Sequence, residues 1–364
     1  MYNTIENLLK ENNIELCLEE CLNSNNIYLG LLLGTISKKR NERYFELMSK
    51  INNNILLNNS KESNNSKESN NSKESNNSKE SNNSKESNNS IKIKLFSNFA
   101  NNIEITKIYN KMTKDGNYIW NSIKLITNDE PDYNIIIDST NDNLISENNI
   151  DYKKTILLKT NNSNHYTKDV ENSFYKILNY DNIVWYLSKN YQELKDMVIE
   201  KNSLISTIVS DNYKTNNQMK MIDFLKFLEN KNDIPIDIFG INKYNYKNYK
   251  HPINFFEKDK ALFPYKYCFI VEDKSDKNYF TNKLTDAILA ECLVFYHGSY
   301  NIKEIINENA FVDINLGNFE NVYNIIQKAI KEDWYSKRLQ YIKESKNHIL
   351  DNLYFFPVIE KNLN

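Results

Sequence analysis

The 364-residue sequence is poor in four residue types that usually punctuate a chain or carry its chemistry: Gly 6, Pro 5, Cys 4 and His 4. Shares of glycine and proline far below the usual ~7% and ~5% exclude a collagen-like chain, glycine-rich linkers and tightly turned all-β architectures. Turns must then come from Asn, Asp and Ser, whose side chains bond to their own backbone. Cys17, Cys21, Cys268 and Cys292 lack metal-finger spacing, and two of them sit in apolar runs that read as strands. They are expected as reduced core residues. Cys17 and Cys21 stand one helical turn apart, but histidine is scarce and no second pair lies nearby, so packing is expected there and no metal. The glycine-rich dinucleotide fingerprint, the P-loop, the nucleophile elbow and HExxH are all absent, which removes the ordinary dehydrogenase, NTPase, hydrolase and zincin readings.

An excess of one charge is missing too. Lys+Arg 46 against Asp+Glu 48 leaves a net −2, so no global basic field exists to hold nucleic acid or an anionic membrane, and neither partner is expected. The start, MYNTIENLLKENN, lacks the charged-then-apolar order of a signal peptide, and the apolar stretch from Ile27 to Ile36 is about half a membrane span. A cytoplasmic setting is the expectation.

What is present is a core: 40% hydrophobic residues with Tyr 25, Phe 17 and Trp 3. At about 150 residues per domain the length suggests two domains and an extension. Five copies of SKESNN run from Ser60 to Asn89, polar throughout and with nothing to bury, so 59–90 is expected as a disordered linker. Ahead of it, residues 1–58 show helical periodicity at Ile5, Leu8, Leu9, Ile14, Leu16, Cys17, Tyr44, Phe45, Leu47, Met48 and Ile51, which suggests a helical extension that could dock a protein partner.

After the linker, strand and helix patterns alternate. IKIKLF, ITKIYNKM, IKLIT, YNIIID, TILLK and IVWYLS lead to the helical NYQELKDMVIEK and define a first Rossmann-like domain at about 91–200. STIVS, the amphipathic NNQMKMIDFLKFLENK, IPIDIF, YKYCFIV, NKLTDAILAE, CLVFYH, NIKEIINE, AFVDI and NVYNIIQKAIKE form a second, 201–364. Such an α/β chain binds ligands outside the carboxyl ends of its strands.

The stretch from Tyr265 to Gly298 reads strand, loop, helix, strand. Thr281 is placed to cap the helix, and Lys283 lies in its first turn, where its charge opposes the helix dipole unless an anion sits between them. Tyr267, Phe269, Glu272, Tyr279, Thr281, Lys283, Leu284, Ala287 and Gly298 follow in order the donor-binding motif of family 10 glycosyltransferases, the α-1,3-fucosyltransferase family, which this stretch resembles. Upstream, ISTIVSDN and Asp237-Ile238-Phe239-Gly240 look like that family's framing elements. Downstream, Phe311-Val312-Asp313 matches a further strand, and EDWYSKRLQYIKESKNHIL looks like the closing helices of versions carried by large DNA viruses.

The resemblance implies two Rossmann-like domains of GT-B type, the acceptor held by the first (91–200) and the nucleotide-sugar donor by the second (201–364), and, if the chain is viral like those versions, a setting in the host cytoplasm or viral factory. It also implies an inverting, metal-independent transferase that moves a sugar, typically fucose or another deoxyhexose, from a nucleoside-diphosphate donor, usually GDP-linked, to a glycan hydroxyl. No cofactor beyond the nucleotide sugar is implied. Donor binding falls on Tyr279, Thr281, Asn282, Lys283, Gln218, Lys220 and Glu272. Three positions depart from the family pattern. Asn282 stands where the family has glutamate, Gln218 where it has a diphosphate-binding arginine, with Lys220 two residues on, and Asn161 near where the base carboxylate falls. His165 or Asp138 would then have to act as base. The alternative is a catalytically degenerate relative that binds nucleotide or glycan without turnover.

Overall fold

A computed structural model of the chain describes residues 90–97, 100–137, 148–159, 168–179, 184–210, 215–253 and 257–363. The helical extension expected at 1–58, and the repeat linker up to residue 89, lie outside the described residues.

The first sheet contains β1 (Ile91–Ser97), β2 (Ile119–Trp120), β3 (Ile123–Ile126), β4 (Tyr133–Ile137), β5 (Thr155–Lys159) and β6 (Lys176–Asn179), in the order β2-β3-β1-β4-β5-β6. Every pair is parallel except β2 with β3. On β1, Ile93 lies opposite Leu125 on one side and Tyr133 on the other. Strands covered on both faces read as continuous apolar runs, which is why IKIKLF, YNIII and TILLK were conspicuous. Helix α1 (Asn102–Asn110) starts in a capping box: Glu104 donates its amide to the Asn101 side chain, and the Glu104 carboxylate accepts the Asn101 amide, both at 3.0 Å. A short α2 (Lys168–Glu171) precedes β6.

Two expectations fail here. The described residues of the run IVWYLS, 184–188, form no strand; the last parallel place is taken by KILN at β6, and 184–190 is an irregular passage in which Trp185 and Leu187 are buried. The helix expected over NYQELKDMVIEK is only α3 (Tyr191–Asp196), because Met197 already has extended backbone, φ −65° and ψ 138°.

The second sheet holds β7 (Ser203–Val209), β8 (Ile236–Gly240), β9 (Tyr265–Val271), β10 (Leu293–His297) and β11 (Phe311–Asp313), all parallel, in the order β11-β10-β9-β7-β8. Its crossovers carry α4 (Asn216–Lys231), α5 (Asp259–Leu262) and α6 (Asn282–Leu289). NIKEIINE, expected as a helix, supplies only a 3-10 turn at Ile302–Glu304. With the short β2 set aside, both sheets place their strands in the relative order 2-1-3-4-5. The fold is therefore two Rossmann-like α/β domains, as expected. In this order successive crossovers part company beside the first strand, and a crevice opens at the carboxyl ends there.

Helices α7 (Phe319–Lys331) and α8 (Trp334–His348) follow β11, and a π-helical turn at Ile349–Leu353 leads into α9 (Phe355–Leu363). This last helix packs against the first sheet's domain. Phe355 meets Tyr109 edge-on at 4.5 Å, Phe356 stacks on Trp120 at 5.6 Å, and Glu360 accepts the Trp120 indole N–H at 3.2 Å. Phe355 and Phe356 are fully buried, and each contributes on the order of 1.5–3 kcal/mol relative to exposure.

Candidate functional site

A cavity of about 280 Å³ opens at the carboxyl ends of β7, β8 and β9, where the order of the second sheet reverses. Val209, Gly240 and Val271 form its floor, and Gln218, Lys258, Asn282 and Lys283 bring polar groups to its wall. Gly240 has φ +92°, and a Cβ there would collide with the Val209 carbonyl oxygen, so only glycine lets β8 end this close to β7. The Ser210 hydroxyl, just past β7, is buried and has no hydrogen-bond partner among the described residues.

One wall is the start of α6. Thr281 caps it, its hydroxyl accepting the Lys283 amide at 3.2 Å. Thr281 is itself fixed by Glu272, whose two carboxylate oxygens accept the Thr281 amide at 2.8 Å and the Thr281 hydroxyl at 2.9 Å. Glu272 is fully buried, and burial raises its pKa. The first turn of α6 is thereby held from behind.

The polar ends of two residues converge beside this turn. Lys283 donates from Nζ to Asp273 Oδ1 at 2.9 Å and to the Val271 carbonyl at 3.4 Å. Gln218, in the first turn of α4, donates from Nε2 to the same two acceptors at 2.9 and 3.1 Å. Across the cavity wall, Lys258 is buried and donates to Asn282 Oδ1 at 2.9 Å and to Asp286 Oδ2 at 2.8 Å. Asp286 is fully inaccessible and burial pushes its pKa up, opposed chiefly by Lys258. Two ammonium groups thus stand at one apolar cavity, each countered by a carboxylate.

No family model matches the chain, and no curated protein matches it. Among solved structures the chain is similar to an α1,3-fucosyltransferase with GDP-fucose, at 16% identity and a TM-score of 0.41 over 69% of this chain and 81% of that one. It is similar to a T4 phage BGT-D100A mutant in complex with UDP-glucose, at 12% identity and a TM-score of 0.41 over 72% and 98%. It is also similar to an α-glucosyltransferase in complex with UDP and a 13-mer DNA, at 9% identity and a TM-score of 0.49 over 75% and 98%.

Of the residues singled out in the sequence, Gln218, Asn282 and Lys283 share the cavity wall, and Thr281 and Glu272 build the turn behind it. Tyr279 is half-buried beneath the Lys274 ammonium, 4.6 Å from its ring centroid, and is not on the wall. Lys220 is half-buried on α4 and does not reach the cavity. His165, Asp138 and Asn161 lie outside the described residues. The neighbouring carboxylates Glu272, Asp273 and Asp276 turn to Thr281, Lys283 and Lys274 respectively. Among the described residues no group of three or more His, Cys, Asp or Glu side chains could hold a metal ion, and no helix is long and apolar enough to cross a membrane. Lys258 was missed. It stands in the run Glu257-Lys258-Asp259-Lys260, which reads as a solvated stretch, and only the tertiary fold turns it inward.

Proposed function

We propose that the chain is a glycosyltransferase whose nucleoside-diphosphate-sugar donor binds in the cavity at the carboxyl ends of β7, β8 and β9. The observation that carries this reading is the pairing of Lys258 and Lys283 on the wall of an apolar cavity, beside the capped start of α6, at the reversal point of the second sheet. Apolar walls suit a nucleobase, and cations at a helix start suit a diphosphate. The ordered likeness of Tyr265 to Gly298 to the fucosyltransferase donor motif supports the same assignment and favours a GDP-linked deoxyhexose and inverting transfer in a GT-B arrangement.

In that reaction the acceptor hydroxyl oxygen forms a bond to the anomeric carbon while the bond to the diphosphate oxygen breaks. The electron pair leaves with the nucleoside diphosphate, and the hydroxyl proton passes to a base, for which Asp138 and His165 are the candidates. Lys283, Lys258 and the α6 amides stabilise the departing charge without a metal. Lys220, two residues beyond Gln218, is the weaker donor candidate because its side chain is away from the wall.

A second reading, nucleotide binding without turnover, is favoured by Gln218, where a neutral amide spent on Asp273 and Val271 stands in the place the family gives to arginine. Two measurements separate the readings. Thermal unfolding with GDP, GDP-fucose, UDP and UDP-glucose reports binding, and a ligand at about 100 times its Kd adds roughly 2.7 kcal/mol. Release of nucleoside diphosphate in the presence of a panel of glycans reports turnover. Stabilisation with release supports the transferase, stabilisation without release supports the binding protein, and no stabilisation by any of the four defeats both.

A further inference from the structure

Asp273 follows Glu272 at the end of β9, and its carboxylate takes the polar ends of the two side chains that face the cavity from α4 and α6. One oxygen, Oδ1, accepts from both Lys283 Nζ and Gln218 Nε2 at 2.9 Å. Asp273 is next to the cavity wall and not on it, and its side chain keeps only 27% of its surface, against 30% for Lys283. Both residues retain the Val271 carbonyl as an alternative acceptor, so neither needs Asp273 to remain satisfied. Glu272 has a different task, being wholly buried on Thr281. Asp273 therefore does little that packing or capping demands, and its chief effect is to place a negative charge where an anionic ligand would be held.

We propose that Asp273 is a specificity-determining residue that sets how much negative charge the cavity accepts, lowering its preference for the spent nucleoside diphosphate over the intact nucleotide sugar. The inference rests on the donor assignment above. The physical basis is the charge difference between the two ligands. The diphosphate of a nucleotide sugar is esterified at both ends, whereas the free diphosphate exposes a terminal phosphate that gains roughly one further negative charge near neutral pH, its second ionisation lying near pH 6. A fixed carboxylate close by repels each ligand in proportion to its charge, so it weakens the product most. Without it, Lys283 attracts the more highly charged species more strongly, and the product becomes the better ligand. Asp273 in this way favours departure of the product from a cavity that would otherwise retain it.

The test is isothermal titration calorimetry of the full chain and its Asp273→Asn variant with guanosine, GMP, GDP and GDP-fucose, and with the uridine series through UDP-glucose in parallel. Asn keeps the shape and can still accept from Lys283 and Gln218; Asp273→Ala is the second variant, in which both donors fall back on Val271. The expected result is a gain in affinity that grows with ligand charge: no change for the nucleoside, about threefold for the nucleotide sugar and about tenfold for the nucleoside diphosphate, at low salt, with the gain shrinking as salt screens it. If the wild-type chain binds these nucleotides and either folded variant binds them equally or more weakly, Asp273 serves only to orient Lys283 and the proposal is overturned while the donor site stands. If neither wild type nor variant takes up any ligand of either series, the donor assignment fails and the proposal with it.

Discussion

Lys258 Nζ stands 2.8 Å from Asp286 Oδ2, and this ion pair joins the wall of the cavity to the passage between the two sheets. Both Asp286 oxygens also lie 3.3 Å from the Tyr186 amide that donates to them, and the Lys258 ammonium sits 5.0 Å from the centroid of the Tyr186 ring. Next along the same passage, the Ser188 amide and hydroxyl both donate to Asp259, the first residue of α5. The residues that line the cavity and those that hold one Rossmann-like half against the other are therefore in direct contact.

Removing one partner of this buried pair leaves the other charge stranded. Asp286→Ala should lower the unfolding free energy by about 3–5 kcal/mol, whereas the double change Lys258→Met with Asp286→Leu should recover most of that while abolishing nucleotide uptake. Urea denaturation read alongside calorimetry checks both halves, and a double variant that still binds nucleotide at wild-type strength would remove Lys258 from the site.

Lys283 and Lys220 differ in placement, and the difference should be measurable. Lys283→Ala is expected to weaken binding of nucleoside diphosphate by tenfold or more, the usual scale for a lost charge-assisted contact. Lys220→Ala should change it by less than about twofold, since its side chain stays away from the wall. Equal losses in the two titrations would refute the assignment of α6 as the anion-binding wall.

Lys111 supplies a pH signature for the passage itself. Its ammonium donates to the Trp185 carbonyl at 2.8 Å and to that of Leu187 at 3.5 Å, and burial lowers its pKa to about 8, against the pull of Asp286 and Asp259 and with help from Lys258. Between that value and the ordinary 10.5, the unfolded chain carries a proton that the folded chain lacks, so stability on this account rises with pH by up to about 1.4 kcal/mol per unit. Below about pH 8 the cost of a buried charge is present in full. Lys111→Met should abolish the rise, so the stability of wild type relative to the variant should increase in urea titrations taken from about pH 7.5 to about pH 10. A difference that stays flat across that window would contradict the shift.

Gly298 is the last residue of the resembling stretch, and its reason is spatial. A Cβ there would collide with the hydroxyl of the buried Tyr296 and lie 2.7 Å from Glu272 Cγ. Gly298→Ala should cost about 1–3 kcal/mol of stability and, by pushing on Glu272, should loosen the cap on α6. Calorimetric melting checks the first effect; an unchanged Tm would mean that the turn after β10 yields freely.

The sequence was most readable where one physical rule acted alone. Parallel strands buried on both faces leave uninterrupted apolar runs such as YKYCFIV, and Thr281 two residues before Lys283 marks a helix start by its capping chemistry. It misled where a tertiary contact imitated a local pattern. IVWYLS has the composition of a strand because Trp185 and Leu187 pack in the core, with Trp185 edge-on to Tyr354 at 4.8 Å. NIKEIINE has helical spacing, but Asn301 spends its side chain on Asn278 and Glu304, and only one tight turn forms. Within the site, Gln218, Asn282 and Lys283 were reachable through ordered motifs, whereas Lys258 was hidden in a charge run whose burial depends on Asp286, 28 residues further on.

The return of α9 to the first sheet fixes an order of events at the ribosome. Tyr109 and Trp120 are made before the second sheet, but the rings that cover them, Phe355 and Phe356, are made after it. The first half to be synthesised is thus the last to close. Meanwhile the second sheet, with β7 to β11 contiguous in the chain, can assemble ahead of it. A nascent chain halted before Tyr354 would present Tyr109, Trp120 and Trp185 to water together, the kind of surface that chaperones hold.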